Sequence, residues 1–188
     1  MEGEEGHSTM IMKKELSIEL SQVQHPSDSK MLSNVFQHPA AGMVYEWIAK
    51  SHMEEDYRTF FEASCLKLTE TNAPYVLNIW KTVCRQFGIQ DIPDIYMLHD
   101  YEERISLGGI NTPFCIFSST YLQAIANEPK DMLYGLLAGQ AAGIVAGHHK
   151  GAMLSFALST GMQMLPIPHI LAMGLEAVLN NWERCRYF

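Results

Sequence analysis

The chain has 188 residues, 47% of them hydrophobic, with 13 basic against 21 acidic side chains and a formal net charge of -8. That length suits one domain with a real core, and the acidic balance argues against a nucleic-acid partner, whose phosphates want a basic face. Cys65, Cys84, Cys115 and Cys185 form no C-x-x-C pair, and Glu2, Glu4 and Glu5 open the chain without a basic n-region or an apolar h-region. The expectation is a cytoplasmic protein with reduced thiols, membrane association being a secondary reading.

Residues 1–30 are polar and end in His25-Pro26-Ser27-Asp28-Ser29. They read as a flexible arm with one helical turn near residues 13–20, and 31–188 as the folded domain. Helical spacing sets in at Met43, Val44, Trp47 and Ile48 and continues through Tyr57, Phe60, Phe61, Ser64, Cys65 and Leu68. Pro74 opens a third amphipathic run, which Gly88 ends. Pro93-Asp94-Ile95-Tyr96-Met97-Leu98 reads as a short strand. Leu107-Gly108-Gly109 reads as a turn, and Phe114-Cys115-Ile116-Phe117 as a second strand. Ser118-Ser119-Thr120 offers an N-cap for a helix from Tyr121.

Glu128-Pro129-Lys130-Asp131 opens a helix that carries no charge over 132–147 and is ended by His148-His149-Lys150. Lacking a polar face, it is expected to be buried on most sides. The two histidines would then sit at its C-terminal end, where the helix dipole favours a cation. Gly135, Gly139, Gly143 and Gly147 recur every four residues along it. Each interior glycine costs about 1 kcal/mol against alanine, so the stripe predicts a closely packed neighbour, either the final helix or another molecule. Residues 151–175 are uncharged and long enough for a membrane span. Pro166, Pro168, Gln163 and His169 favour instead a buried helical hairpin or a membrane-surface contact. A last helix is expected over 173–188.

The order of these pieces resembles the gluzincin metallopeptidases that include the CAAX prenyl endopeptidase and the bacterial protease HtpX. The matching stretches are Asp94-Ile95-Tyr96-Met97, Leu107-Gly108-Gly109 with Pro113-Phe114-Cys115-Ile116-Phe117-Ser118-Ser119, Tyr121-Leu122-Gln123-Ala124-Ile125, and Asp131-Met132-Leu133-Tyr134-Gly135-Leu136-Leu137-Ala138. The resemblance spans roughly 36–188. It implies an α+β, mainly helical zincin domain with a small sheet beside the former active-site helix.

In that family the active-site helix reads L-A-H-E-x-x-H, with G-H a few residues on. Here Leu137-Ala138 is followed by Gly139-Gln140-Ala141-Ala142-Gly143 and later by Gly147-His148. The resemblance thus places the zinc histidines on Gly139 and Gly143 and the general base on Gln140. The third ligand falls on Tyr187, in Trp182-Glu183-Arg184-Cys185-Arg186-Tyr187. Glycine has no ligand atom, and a carboxamide takes no proton near neutral pH. The motif's chemistry needs two imidazoles one turn apart and a carboxylate between them. A catalytically inactive metallopeptidase-like protein without metal or other cofactor is therefore expected.

Its function would be binding. An extended peptide or protein partner would add along an edge strand near 110–118, with Gln140, His148, Tyr187, Ile110, Phe114 and Ile116 as cleft candidates. A metal-independent enzyme or small-molecule binder using the vacated cleft is the alternative. A homo-oligomer or peripheral membrane contact through the glycine stripe and the 151–175 stretch is the third. A substitute metal site built from His148, His149, His169 and Glu176 or Glu183 fits no known ligand spacing.

Overall fold

The computed structural model describes residues 19, 24–100, 105–126, 130–161 and 167–185. The helical turn expected near 13–20, except for residue 19, and Tyr187 lie outside them.

Two His-Pro pairs start the first two helices of the described residues. His25 is the N-cap of α1 (Pro26–Gln37), its Nδ1 accepting from the Ser27 N–H at 3.2 Å. His38 repeats the device for α2 (Pro39–Lys50), accepting from the Ala40 N–H at 3.2 Å. Proline at the first helical position has no N–H to leave orphaned, and it pushes the preceding residue into extended backbone. Helix α1 therefore starts at Pro26, inside the segment read as an arm. After His52, in the left-handed region at φ 56°, comes α3 (Met53–Ser64), with Glu54, Glu55 and Asp56 in its first turn where the helix dipole favours anions.

The remaining elements follow as β1 (Leu66–Lys67), α4 (Pro74–Gln86), β2 (Asp94–Leu98), β3 (Ile105–Gly108), β4 (Phe114–Ser118), α5 (Ser119–Ala126), α6 (Lys130–Ala146), α7 (His148–Gly161) and α8 (His169–Cys185). The architecture is α+β, mostly helical with one small mixed sheet. Ser118 caps α5 as expected, its Oγ accepting from the Tyr121 N–H at 3.1 Å.

The sheet runs β1-β2-β4-β3. β2 lies parallel to β4, with Asp94 opposite Phe114 and Leu98 opposite Ser118, while β3 is antiparallel to β4 on its other side. Strand alternation then sorts the side chains. Ile95, Cys115, Phe117 and Leu107 join Trp80, Val83 and Cys84 of α4 and Leu133, Leu137, Ala141 and Ile144 of α6. Tyr96, Phe114 and Ile116 form a separate cluster with Phe61 of α3. A third cluster is wholly helical, built from α1, α2, α7 and α8 around Val35, Ile48, Leu154, Leu175 and Trp182. The Cys84 and Cys115 thiols are both buried; burial pushes Cys84 up to about 12 and Cys115 well above its ordinary value.

Four expectations change here. The 110–118 segment does not form a sheet edge, because β4 has a partner on each side and all five of its residues are buried. Leu107 and Gly108 belong to strand β3, and the turn starts at Gly109, whose φ of 84° suits glycine. His148 and His149 do not end α6. Gly147, at φ 85°, closes that helix, and the histidines form the first turn of α7, the positive end of a helix dipole. Finally, α6 is not buried on most sides. Gly135 and Gly139 are exposed, and Met132 and Val145 are 52% and 42% exposed.

The hairpin reading of 151–175 resolves into α7 and α8 packed on each other, with α8 starting four residues earlier than expected. Among the described residues no helix is long and apolar enough to cross a membrane.

Candidate functional site

The helix expected to carry the metal chemistry is α6, and the two ligand positions on it differ. At Gly139 a Cβ would meet nothing within 4 Å. One turn on, a Cβ at Gly143 would come within 3.0 Å of Leu107 Cδ1 and 3.3 Å of His148 Nδ1. Gln140 is half-buried between them and has no side-chain hydrogen bond among the described residues. Of the four glycines, Gly143 alone is closely approached by another element's side chain; Gly147 serves the turn, and Gly135 is open. The final helix does not cover the stripe. It packs on α1, α2 and α7.

The donor set present does not fit a zinc ion: two glycines and an amide supply no imidazole and no carboxylate at these positions. Among the described residues, no group of three or more His, Cys, Asp or Glu side chains is placed to hold a metal ion. His148, His149, His169, Glu176 and Glu183 therefore do not gather into a substitute site.

His148 is engaged elsewhere. Its Nε2 lies 2.7 Å from Asp28 Oδ2, across 120 residues of chain. Asp28, only 5% exposed, also accepts from Trp182 Nε1 at 2.9 Å and from Gln24 Nε2 at 2.7 Å. Burial by itself would raise the Asp28 carboxyl, but the bonds from Gln24, His148 and Trp182 outweigh it and hold the group below its ordinary value. This node joins α1, α7 and α8. Trp182 also lies over Gly151, where a Cβ would come within 2.5 Å of the indole, so glycine is required there.

His149, unlike half-buried His148, is buried at 6% exposed, with a backbone hydrogen bond to Ile110 and an Nδ1 that has no partner among the described residues. Burial, reinforced by Lys150, lowers it to about 4, so it is neutral near pH 7.

The other cleft candidates separate. Phe114 and Ile116 point to the α3 face of the sheet, opposite α6, because side chains alternate along a strand. Ile110 packs against the helical cluster. Its loop is already filled from within: Glu54 Oε1 accepts from the N–H groups of Ile110 at 2.6 Å and Asn111 at 2.9 Å, with Thr112 at 3.4 Å. Arg58 donates to the Thr112 carbonyl. An incoming peptide finds neither a free ladder on β4 nor free donors in this loop.

A different concavity lies on the α3 side. A groove of about 630 Å³ is lined by Trp47 of α2, Met53, Tyr57, Phe60 and Phe61 of α3, and Phe156 of α7. Ser51, Asp56 and Thr160 are its polar members. The rings form a continuous series, Phe60 to Phe61 at 5.4 Å, Phe61 to Tyr57 at 4.8 Å and Tyr57 to Phe156 at 4.3 Å between centroids. Burial raises the Tyr57 hydroxyl, keeping it neutral. Phe60 is 59% exposed. The helical spacing places Tyr57, Phe60 and Phe61 in one apolar stripe. The signal missed is its width, since adjacent phenylalanines cannot both face one core.

Compared with protein-family models, curated proteins and solved structures, the chain matches none.

Proposed function

We propose that this chain is a non-catalytic, metallopeptidase-like protein of the zincin type that acts by binding a peptide or protein partner. Two features support the reading. The elements follow one another in the order the resemblance requires, a strand pair, a short helix capped by Ser118 and then the α6 helix. At the motif positions of α6 there is no group that binds a dication or accepts a proton from its water. The observation that carries the proposal is the close packing at Gly143, where Leu107 and His148 occupy the space a ligand imidazole would need. The partner does not add along 110–118; the contact falls on exposed apolar surface.

The test is metal analysis of the purified chain together with a peptidase assay and an extended-peptide array. Sub-stoichiometric zinc, no hydrolysis and saturable peptide capture are expected. Stoichiometric zinc with chelator-sensitive cleavage would sink the non-catalytic half, and a blank array the binding half.

The aromatic groove favours a second reading, a small-molecule site. Its volume lies within the few hundred to about 1,000 Å³ usual for ligand pockets, and its walls are mainly apolar with a few polar groups, as such sites require. This moves the small-molecule alternative from the α6 helix to the other face of the sheet.

A further inference from the structure

We infer that the groove between α2, α3 and α7 binds a small organic ammonium ion, a permanently charged or protonated amine carried on an apolar or aromatic body. The inference rests on the small-molecule reading of the groove and adds the ligand's chemical class.

Trp47, Tyr57, Phe60, Phe61 and Phe156 bring five aromatic rings to one concavity. The face of an aromatic ring carries negative quadrupole potential, and rings around a desolvated ammonium attract it where they would repel an anion. A purely apolar ligand needs no such concentration of rings, since aliphatic side chains bury its surface equally well.

The charge balance points the same way. Asp56 is the one charged side chain in the lining, it is exposed, and its carboxylate has no hydrogen-bond or ion-pair partner among the described residues. The neighbouring basic side chains are already engaged. His52 pairs with Glu55 at 2.5 Å, Lys50 with Glu46 at 3.4 Å, and Arg58 with Asp94 at 3.7 Å while lying over the Phe114 ring. Asp56 is thus the anion left for a ligand, at the mouth of an aromatic-lined space. The chain's net charge of -8 also raises the local concentration of small cations around it.

The occupant is a free small molecule, not a peptide side chain. The groove is a single concavity bounded by three helices with no unpaired strand along its walls, so a peptide backbone would find nothing there to continue its hydrogen bonding.

The test uses the whole chain and the emission of Trp47. Trp80 and Trp182 are fully buried and are not part of the groove's lining. The probes are benzyltrimethylammonium, its neutral isostere with carbon in place of nitrogen, phenylacetate, and acetyl-Phe-Lys-amide. The ammonium is expected to bind about five- to tenfold more tightly than the neutral isostere, and phenylacetate not at all. Asp56→Asn should remove about three- to fivefold of the ammonium's affinity and leave the isostere's unchanged. Phe60→Ala should weaken both, with an unchanged unfolding midpoint, because the ring is already exposed.

Equal affinity for ammonium and isostere would overturn the ammonium inference while leaving the groove a binding site. Tighter binding of the dipeptide than of the free ammonium would overturn the small-molecule assignment. No saturable response to any probe would overturn both the inference and the reading beneath it.

Discussion

The Asp28 node and the aromatic groove have opposite appearances and opposite roles. Asp28, His148 and Trp182 resemble an acid–base pair backed by an indole, yet Asp28 and Trp182 are buried, His148 is half-buried, and Trp182 and His148 both bond to the Asp28 carboxylate, tying α1, α7 and α8 together. The groove is lined mainly by aromatic rings, yet it is open, and its Asp56 is unengaged among the described residues. A buried polar group fully occupied by its neighbours specifies a fold, whereas exposed rings around open space serve a ligand. Reactivity of residue type is the weaker guide, and availability the stronger one.

Breaking the node should have the largest effect. Asp28→Ala removes the acceptor of the Trp182 N–H bond and the carboxylate beside His148; a loss of about 3–5 kcal/mol is expected from breaking this buried polar network. Chemical denaturation measures it. Asp28→Asn keeps an acceptor and should lose less, and equal losses would mean that packing alone holds the node.

Next in size is a pH effect at His149. Its folded-state value is depressed to about 4 from 6.5, so the unfolded chain takes up a proton below pH 6.5 that the folded chain refuses until about pH 4. Stability is therefore fully present above pH 6.5 and falls across that window, by up to about 3 kcal/mol. His149→Leu should flatten this part of the stability–pH profile; an unchanged slope would assign it to other groups. The Asp28 carboxyl, held below its ordinary value of 3.8, contributes separately: its share is present above pH 3.8 and lost only as pH falls through its lower folded-state value.

The smallest pair of effects distinguishes Gly139 and Gly143 of α6. Gly143→His should cost about 1–3 kcal/mol through crowding against Leu107 and His148. Gly139→Ala should instead stabilise α6 by about 0.5–1 kcal/mol, because the new methyl meets open space. Equal shifts at the two sites would show that α6 sits differently against β3. The same asymmetry means that a histidine at Gly143 is crowded where one at Gly139 is not.

Local signals in the sequence located α4, β2, β4, the Ser118 cap and the start of α6, where proline, glycine and periodicity act over a few residues. Three features depended on distant partners. β4 read as an edge because nothing in Phe114-Cys115-Ile116-Phe117-Ser118 announces that β3 will close its second side. Asp28 read as part of an arm because its partners lie 120 and 154 residues away. The glycine stripe suggested a close neighbour, but exposure along a helix is set by what the rest of the chain brings to it, and only Gly143 received one. The His-Pro pairs at 25–26 and 38–39 were legible signals for α1 and α2 that periodicity alone passed over.

The two buried thiols give the molecule an internal reporter of motion. Cys84 and Cys115 lie in the cluster between α4 and the sheet, shielded from solvent and held protonated. An alkylating reagent reaches them only when α4 lifts from β4, so their modification rate follows the opening of that layer. Cys65, half-exposed beside β1, reacts without such an opening and supplies the reference.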